Sequence, residues 1–225
     1  MTDEVAGFAS QLPERYRYAV VSALRQTCEA GVRYGYMTRN PAKLAGKNPQ
    51  PAPRGVRVFT VDELKAITDE LSPKNAAAVE FAAATGLRPS EWASIERRDV
   101  DKARRVLQVR GTKTIRSRRE VPLTTAALAA LESLPARIDS PFVFGPTRRH
   151  RDASGLLVAQ PFDVHNFRSR KWGPAIEAAG VPRPARIYDL RSTFASNWLA
   201  KGVTTFELAR IMGTSVGMIE HTTAR

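Results

Sequence analysis

The sequence predicts a mainly α-helical fold with a small antiparallel β-sheet, an α+β class. Apolar residues recur at helical spacing through most of the chain, whereas the stretch between residues 106 and 121 alternates apolar and polar side chains as strands do. With 225 residues, 43% of them hydrophobic, the chain can form one sizeable core, alone or beside a small second unit.

The N-terminal region is predicted to be a separate helical segment. Residues 14–36 fit one helix, because Val20, Leu24 and Val32 recur at helical spacing. Residues 45–56 then carry three prolines and two glycines, a composition typical of a semi-extended linker. The predicted division is a helical segment at 1–45, a linker at 46–56 and a second domain at 57–225.

The second domain should begin with helices. Thr60-Val61-Asp62-Glu63 matches a capping box and predicts a helix over 60–71. An alanine-rich helix over 74–86 should be mostly buried and end at Gly86, and Pro89 can open a short helix through Ile95. Further helices are predicted at 124–134, 161–179, 189–201, 205–212 and 215–223.

The small sheet is predicted from a change of period. Residues 106–110 alternate like a strand, Gly111 to Thr114 forms a turn, and residues 115–121 return as a second strand. Phe142 to Phe144 is predicted as a short buried strand, and residues 145–160 as a loop.

Charge and cysteine content narrow the class of protein. Lysine and arginine total 35 against 22 acidic residues, a formal net charge of +13, which favours a nucleic-acid partner over a membrane surface. The single cysteine allows no internal disulfide, and the three scattered histidines do not suggest zinc. No apolar window is long enough to span a membrane, and the N-terminus does not resemble a signal peptide. We therefore expect a cytoplasmic, DNA-facing protein that needs no metal or cofactor.

Four segments carry the candidate chemistry, in this order: Ala84–Glu91, Gly111–Thr114, Tyr188–Ala195 and Leu208–Ser215. Each resembles a conserved box of the tyrosine recombinase, or phage integrase, family: the first arginine box, the lysine hairpin, the His-x-x-Arg box and the turn before the nucleophile helix. The resemblance covers residues 57–223, and residues 14–45 resemble the end of the family's helical core-binding domain. A mainly helical catalytic domain that acts on DNA is what the resemblance implies.

Carried over by position, the resemblance implies a catalytic set of Arg88, Lys113, Tyr188, Arg191, Thr214 and, at the nucleophile position, Thr223. Forked arginines suit a phosphodiester, because they meet charge on its non-bridging oxygens with bidentate, charge-assisted bonds. A lysine on a hairpin tip can protonate a leaving oxygen. Taken singly, however, each cation also fits an ordinary role: Arg88 as a helix-terminal arginine, Lys113 as a turn lysine and Arg191 as a surface residue.

Three positions depart from the family pattern. Tyr188 stands where histidine is usual, and a phenol can donate to phosphate but is a weak base at neutral pH. Thr214 also stands where histidine or tryptophan is usual. Thr223 occupies the place of the nucleophilic tyrosine, and no tyrosine follows Tyr188 in the sequence. We therefore expect a chain that binds DNA but does not cleave it.

A run of seven basic residues without an acidic one lies between positions 104 and 119. Such a run is often only a solvated face, but on a hairpin that lies against DNA it would contact phosphates, which position a protein without reading sequence. The predicted DNA-binding residues are Arg104, Arg105, Arg110, Arg116, Arg118, Arg119, Arg148, Arg149, Arg168, Arg170 and Lys171, with Arg151 beside them.

The sequence therefore predicts a double-stranded-DNA-binding protein of bacterial or phage origin, derived from a site-specific recombinase. Its core-binding segment is expected to be partial and its C-terminus short. One alternative is an active integrase of which the sequence is a truncated form. Others are a regulator that occupies attachment sites or joins a full-length integrase, by self-association or mixed assembly, and a generic basic RNA- or ribosome-associated protein.

Overall fold

The computed structural model describes residues 2–51, 55–111, 118–135, 137–138, 140–146, 150–151 and 154–223, and the side chains of all of these except 150 and 221–223. The chain divides into two compact units, Met1–Gly55 and Val56–Arg225. The mainly helical class with a small antiparallel sheet is confirmed.

The first unit contains helices α1 (Thr2–Gln11), α2 (Glu14–Arg33) and α3 (Pro41–Leu44). The helix predicted over 14–36 is therefore slightly shorter, and α1 and α3 were not predicted. Asn40 fixes α3, because its side-chain oxygen accepts from the Ala42 and Lys43 amides at 3.1 and 3.2 Å while its Nδ2 donates to the Arg25 carbonyl at 2.9 Å.

The start of the segment predicted as a linker is attached to α2. The Asn48 Nδ2 donates to the Tyr18 carbonyl and to the Ser22 Oγ, both at 3.0 Å. The Arg25 Nε donates to the Ala42 carbonyl at 3.0 Å. These contacts fix the chain up to Asn48 as part of the first unit.

The helices of the second unit are α4 (Val61–Asp69), α5 (Pro73–Thr85), α6 (Pro89–Ala93), α7 (Thr125–Glu132), α8 (Val164–Phe167), α9 (Gly173–Ala178), α10 (Asp189–Ala200), α11 (Thr205–Met212) and α12 (Val216–Thr223). The predicted capping box of α4 is confirmed: the Glu63 amide donates to the Thr60 Oγ1 at 3.1 Å, and the Thr60 amide to the Glu63 Oε2 at 3.0 Å. Gly86 ends α5 in the left-handed conformation, as predicted.

The sheet has the order β1 (Val100–Asp101), β2 (Val106–Val109), β3 (Arg119–Pro122), antiparallel throughout. Leu107 pairs with Val121, and both are buried, whereas the next pair, Gln108 and Glu120, is exposed. The alternation that predicted the strands therefore reflects one face on the core and one on solvent.

Between residues 142 and 179 one predicted element, a strand, is absent, and two other predictions hold with corrections: a helix over 161–179 and a loop over 145–160. The segment Phe142 to Phe144 is no strand: it makes one isolated bridge, from Phe142 to Glu96, although the Val143 amide donates to the Ile95 carbonyl at 2.9 Å. The helix predicted over 161–179 begins only after Asp163, and a π-helical turn, Arg168–Trp172, joins α8 to α9. The predicted loop 145–160 contains a short strand pair, β4 (His150–Arg151) with β5 (Leu157–Val158).

The core of the second unit lies around α5, which packs against α4, α7 and α10. Aromatic rings fill it: Trp92 lies 5.0 Å from Phe162 and 6.2 Å from Phe144, which in turn lies 5.3 Å from Phe81. A smaller apolar cluster, which includes Phe194 and Leu208, holds α10, α11 and α12 together. This packing brings the ends of α5 and α11 to the start of α10.

Candidate phosphate-binding site

Three arginines from other elements bind the carbonyls at the carboxyl-terminal end of α11. The last carbonyls of a helix have no intrahelical partner and carry the negative end of its dipole, so they attract guanidinium groups. These arginines come from three different places: the start of α6, strand β3 and helix α10. The contacts run from Arg119 Nε to the Ile211 carbonyl at 2.6 Å, from Arg191 Nη2 to the Met212 carbonyl at 2.8 Å, and from Arg88 Nη2 to the Gly213 carbonyl at 2.7 Å.

Arg191 joins two helix ends. Its side chain is buried, with the residue only 4% exposed, and its Nη1 donates to the Gly86 carbonyl at 2.6 Å. Burial, and after it the positive charge of Arg88, lowers the pKa of Arg191 to about 10. The guanidinium is therefore still charged at neutral pH, between the ends of α5 and α11.

Arg88 is held by the turn that starts α6. It has the extended backbone that a residue before proline prefers, and its amide donates to the Glu91 Oε2 at 2.8 Å. Its Nη1 donates to the Glu91 Oε1 at 2.8 Å, yet the side chain remains 34% exposed. One arginine of the predicted pair is thus accessible from outside, and the other lies beneath it.

Glu91 also binds Arg119. The Arg119 Nη1 and Nη2 donate to its two carboxylate oxygens at 3.0 Å each, and the Arg119 side chain is only 7% exposed. Burial opposes ionisation of Glu91, but the hydrogen bonds and charge of Arg119, together with the hydrogen bonds from Arg88, outweigh it and hold the pKa of Glu91 below its usual value. Arg119 is therefore an inward-facing residue, unlike the exposed position expected of a phosphate contact.

Two other residues of the predicted catalytic set border the same place. Tyr188 immediately precedes α10, is half exposed, and accepts the Arg191 amide through its carbonyl at 3.1 Å. Thr214 follows Gly213 and donates its amide to the Ala209 carbonyl at 3.0 Å. Thr223 is the last residue of α12, and its side chain is among those that the structure does not describe. Lys113 lies outside the described residues.

A groove of about 1030 Å³ opens beside this site. Strand β3 forms one wall, and helix α11 with the turn after it forms another. Arg118 and Arg119 from the strand line it, as do Thr214 and Ser215 from the turn. An extended ligand in this groove would pass the end of α11.

Three of the predicted DNA-binding arginines make intramolecular contacts. Arg104 lies 3.4 Å from Glu120, and Arg105 donates to the Thr125 Oγ1 at 3.0 Å. Arg110 lies 2.6 Å from both Glu96 and Asp99, and these carboxylates raise its pKa, with Glu96 the stronger influence. The contacts of Arg104 and Arg105 are exposed, and such contacts are weak and compete poorly with a polyanion. The partners of Arg110 are less exposed, since 15% of the Glu96 side chain and 9% of the Asp99 side chain are accessible.

The other predicted DNA-binding residues are exposed, bonded within a hairpin, or outside the described part of the chain. Arg118 is exposed at the start of β3, and Arg168, Arg170 and Lys171 are exposed on the π-helical turn between α8 and α9. Arg151 donates to the Gly155 carbonyl at 2.7 Å within the β4–β5 hairpin. Arg116, Arg148 and Arg149 lie outside the described residues.

Sequence reasoning missed two features of the site. Glu91 enters it only as part of the first arginine box, although this carboxylate binds two arginines. The carbonyls at 211–213 are invisible to side-chain patterns. Gly213 gave the available signal. A left-handed glycine turns the chain so that the amides of Gly213 and Thr214 bind the Arg210 and Ala209 carbonyls, and the carbonyls that follow remain for other donors.

Neither a membrane span nor a metal cluster is found in the described part of the chain. None of its helices is both long and apolar enough to cross a bilayer. Its histidine, cysteine, aspartate and glutamate side chains form no group of three suited to a metal ion.

The fold is that of the tyrosine recombinase catalytic domains. The Tn1549 transposon integrase, solved in complex with a circular intermediate DNA, aligns with a TM-score of 0.79 at 16% identity, over 100% of this chain and 81% of that one. A lambda integrase dimer bound to a COC' core site aligns with a TM-score of 0.77 at 18% identity, over 99% of this chain and 64% of that one.

The sequence gives the same assignment. Residues 57–221 match the model of the phage integrase family, so the chain belongs to that family. The integrase of Mycobacterium phage FRAT1 is 30% identical over 98% of this chain, and the chain spans 66% of that relative's length. The predicted family resemblance is thereby confirmed.

Proposed function

We propose that this chain binds double-stranded DNA and holds one backbone phosphate between Arg88 and Arg191. The observation that carries the proposal is that adjacent carbonyls, those of Met212 and Gly213, fix both guanidinium groups side by side. The described bonds of Arg191 use two N–H groups, and a guanidinium has five, so donors remain for a phosphate. The DNA complexes of the Tn1549 and lambda integrases support DNA as the ligand.

We propose that the site is that of a DNA strand-exchange enzyme in which the nucleophilic tyrosine is missing. Arg88 and Arg191 would stabilise charge on the phosphate, Tyr188 and Thr214 would add hydroxyl donors, and Lys113 would protonate a leaving oxygen. A threonine hydroxyl at position 223 is less acidic than a phenol and shorter in reach. We therefore propose that residues 1–225 bind DNA without forming a covalent intermediate.

The relatives favour one alternative. The chain spans 66% and 59% of the lengths of the integrases of phages FRAT1 and D29, so an active recombinase of which these residues are a part is the second candidate. The intact mass of the protein isolated from its source separates the two. A mass near 24.8 kDa supports the non-covalent binder, and a larger mass supports the recombinase.

The proposed phosphate contact is tested with duplex DNA recovered by pull-down of sheared genomic DNA. Arg88→Ala and Arg191→Lys should each weaken binding by about tenfold, since each removes charge-assisted hydrogen bonds. Arg97→Ala, which removes an exposed arginine next to β1, is the matched control and should change binding less than about twofold. Equal effects of all three variants would reject a phosphate clamp formed by Arg88 and Arg191 and would favour general attraction to a polyanion.

The absence of cleavage is tested on the same duplex. After denaturation in detergent, wild-type protein should leave no DNA-bound band, whereas Thr223→Tyr restores the missing group and should leave some. Thr222→Tyr, which offers the same phenol one position away, is the control. A covalent adduct with the wild-type protein would overturn the proposal that these residues do not cleave.

A further inference from the structure

Arg119 connects the parts of the proposed clamp and, although it lines the groove, it is not an exposed cation. Its guanidinium lies between the end of α11, where Nε donates to the Ile211 carbonyl at 2.6 Å, and the Glu91 carboxylate, where two donors bind at 3.0 Å. Only 7% of the Arg119 side chain is exposed.

Both partners of Arg119 also determine where the clamp arginines lie. Glu91 binds the backbone amide and the Nη1 of Arg88. The Ile211 carbonyl precedes those of Met212 and Gly213, which accept from Arg191 and Arg88. A shift of Arg119 would therefore move the supports of both clamp residues together.

Gly213 allows this close approach. A Cβ built at this position would lie 2.8 Å from the Arg119 Nη1, closer than real Cβ atoms approach a neighbour, and 3.0 Å from its Cζ, which is also tight. Any other residue at 213 would push the Arg119 guanidinium away. The turn after α11 and the arginine on β3 therefore fit one another.

We propose that Arg119 is a positioning residue, which sets the separation of Arg88 and Arg191 and does not itself touch the phosphate. The inference rests on the proposed function, because it assumes that these two arginines bind DNA. It replaces the expectation from the sequence that Arg119 contacts the DNA backbone. An arginine is required, since a lysine ammonium cannot bind one carbonyl and two carboxylate oxygens in a single plane.

The test is a double-mutant cycle in DNA binding with Arg119→Lys, Arg88→Ala and the two combined. Arg119→Lys keeps the charge and should weaken binding by about tenfold, the equivalent of one charge-assisted hydrogen bond. Because it acts through Arg88, the combined variant should bind much better than the product of the two single effects predicts. Arg97→Lys, at an exposed arginine that belongs neither to the predicted DNA-binding set nor to the groove, is the control and should change binding less than about twofold.

The outcomes separate this inference from the function on which it rests. Independent, multiplying effects would mean that Arg119 contacts DNA directly, and the positioning role would be wrong while the clamp stands. Unchanged binding by Arg119→Lys, with only a lower melting temperature, would leave Arg119 a merely structural residue. No effect of Arg88→Ala would overturn the clamp and the positioning role together.

A second variant covers the case in which Arg119→Lys does not fold. Gly213→Ala keeps every charged group but puts a Cβ against Arg119, and Gly180→Ala is its control. Both glycines end a helix with nearly equal φ values, 62° and 64°, but nothing lies within 4 Å of a Cβ at Gly180. Only Gly213→Ala should weaken DNA binding at a temperature where both variants are folded. Equal binding by the two would overturn the positioning role.

Discussion

At the residue scale, the site is distinguished by a buried cation whose nearest partners are carbonyls. A buried guanidinium is usually neutralised by a carboxylate, because desolvation of an unpaired charge is costly. None of the described ion pairs includes Arg191, which instead bonds to the carbonyls of Gly86 and Met212. Two helix dipoles therefore stabilise its charge only in part. A bound anion would complete the neutralisation, which is why the geometry favours phosphate binding.

The lowered pKa of Glu91 gives a prediction for acid stability. The pKa of the Glu91 carboxyl is lower in the folded protein than in the unfolded chain, where the pKa of glutamate is about 4.3. Ionised Glu91 therefore stabilises the fold above the unfolded-state pKa, and this stabilisation is lost as the pH falls through the folded-state pKa. Glu91→Gln should therefore reduce the free energy of unfolding at pH 7 and flatten its decline below about pH 4.5. Chemical denaturation at a series of pH values measures both effects.

Glu120→Gln is the control for Glu91→Gln, since Glu120 lies on β3 next to Arg119 but is exposed. It should change neither the stability at neutral pH nor its acid dependence by a comparable amount. Parallel curves for wild type and Glu91→Gln would show that the carboxylate contributes no stability through its ionisation.

The residues of the site differ in how far the sequence predicts them. Arg88 and Arg191 stand in boxes whose order identifies the family, so they could be named without a structure. Arg119 stands in a basic run, and composition alone suggests a solvated cation. Its register on β3 carried the missing information, because Arg119 and the buried Val121 share one face of the strand.

At the scale of elements, length and local signals decide what the sequence can predict. The long helices and the two longer strands show a clear period, and the capping box at Thr60 and the terminal Gly86 fix their bounds. Elements of two to four residues, such as α3 and the pair β4–β5, are too short to show one. The apolar segment Phe142 to Phe144 is buried by tertiary packing, which has no local signal of its own.

The end of α5 gives a prediction at this scale. Gly86 has a φ of 63°, and a Cβ there would lie 2.3 Å from the Phe194 Cδ1. Gly86→Ala should therefore cost about 2–4 kcal/mol, the sum of left-handed strain and overpacking. Gly202→Ala, at the end of α10, has only the strain and should cost about 1 kcal/mol. Urea denaturation of both variants checks the difference, and similar losses would mean that Phe194 yields without cost.

At the scale of the whole molecule, a formal net charge of +13 attracts DNA wherever the charges lie. The proposed clamp accounts for two cations at one phosphate. Arg168, Arg170 and Lys171 are further exposed cations, and all three lie on the π-helical turn between α8 and α9. Such residues either bind phosphates directly or only add to the general field, and the salt dependence of binding distinguishes the two roles.

The binding constant for DNA falls as the salt concentration rises, so log K plotted against log salt concentration has a negative slope. Replacing Arg168, Arg170 and Lys171 together by glutamine should make this slope less steep by about 0.9 for each phosphate that one of these cations binds, up to nearly three units. A control replaces Lys43, Lys65 and Lys102, which are exposed in ion pairs with Glu29, Asp69 and Glu132. Both variants lower the net charge by three, so the field of the molecule changes by a similar amount. If the slope becomes less steep only in the first variant, the π-helical turn lies on the DNA backbone. If it does so equally in both, these cations act at a distance, and the residues that orient the duplex must be sought elsewhere on the second unit.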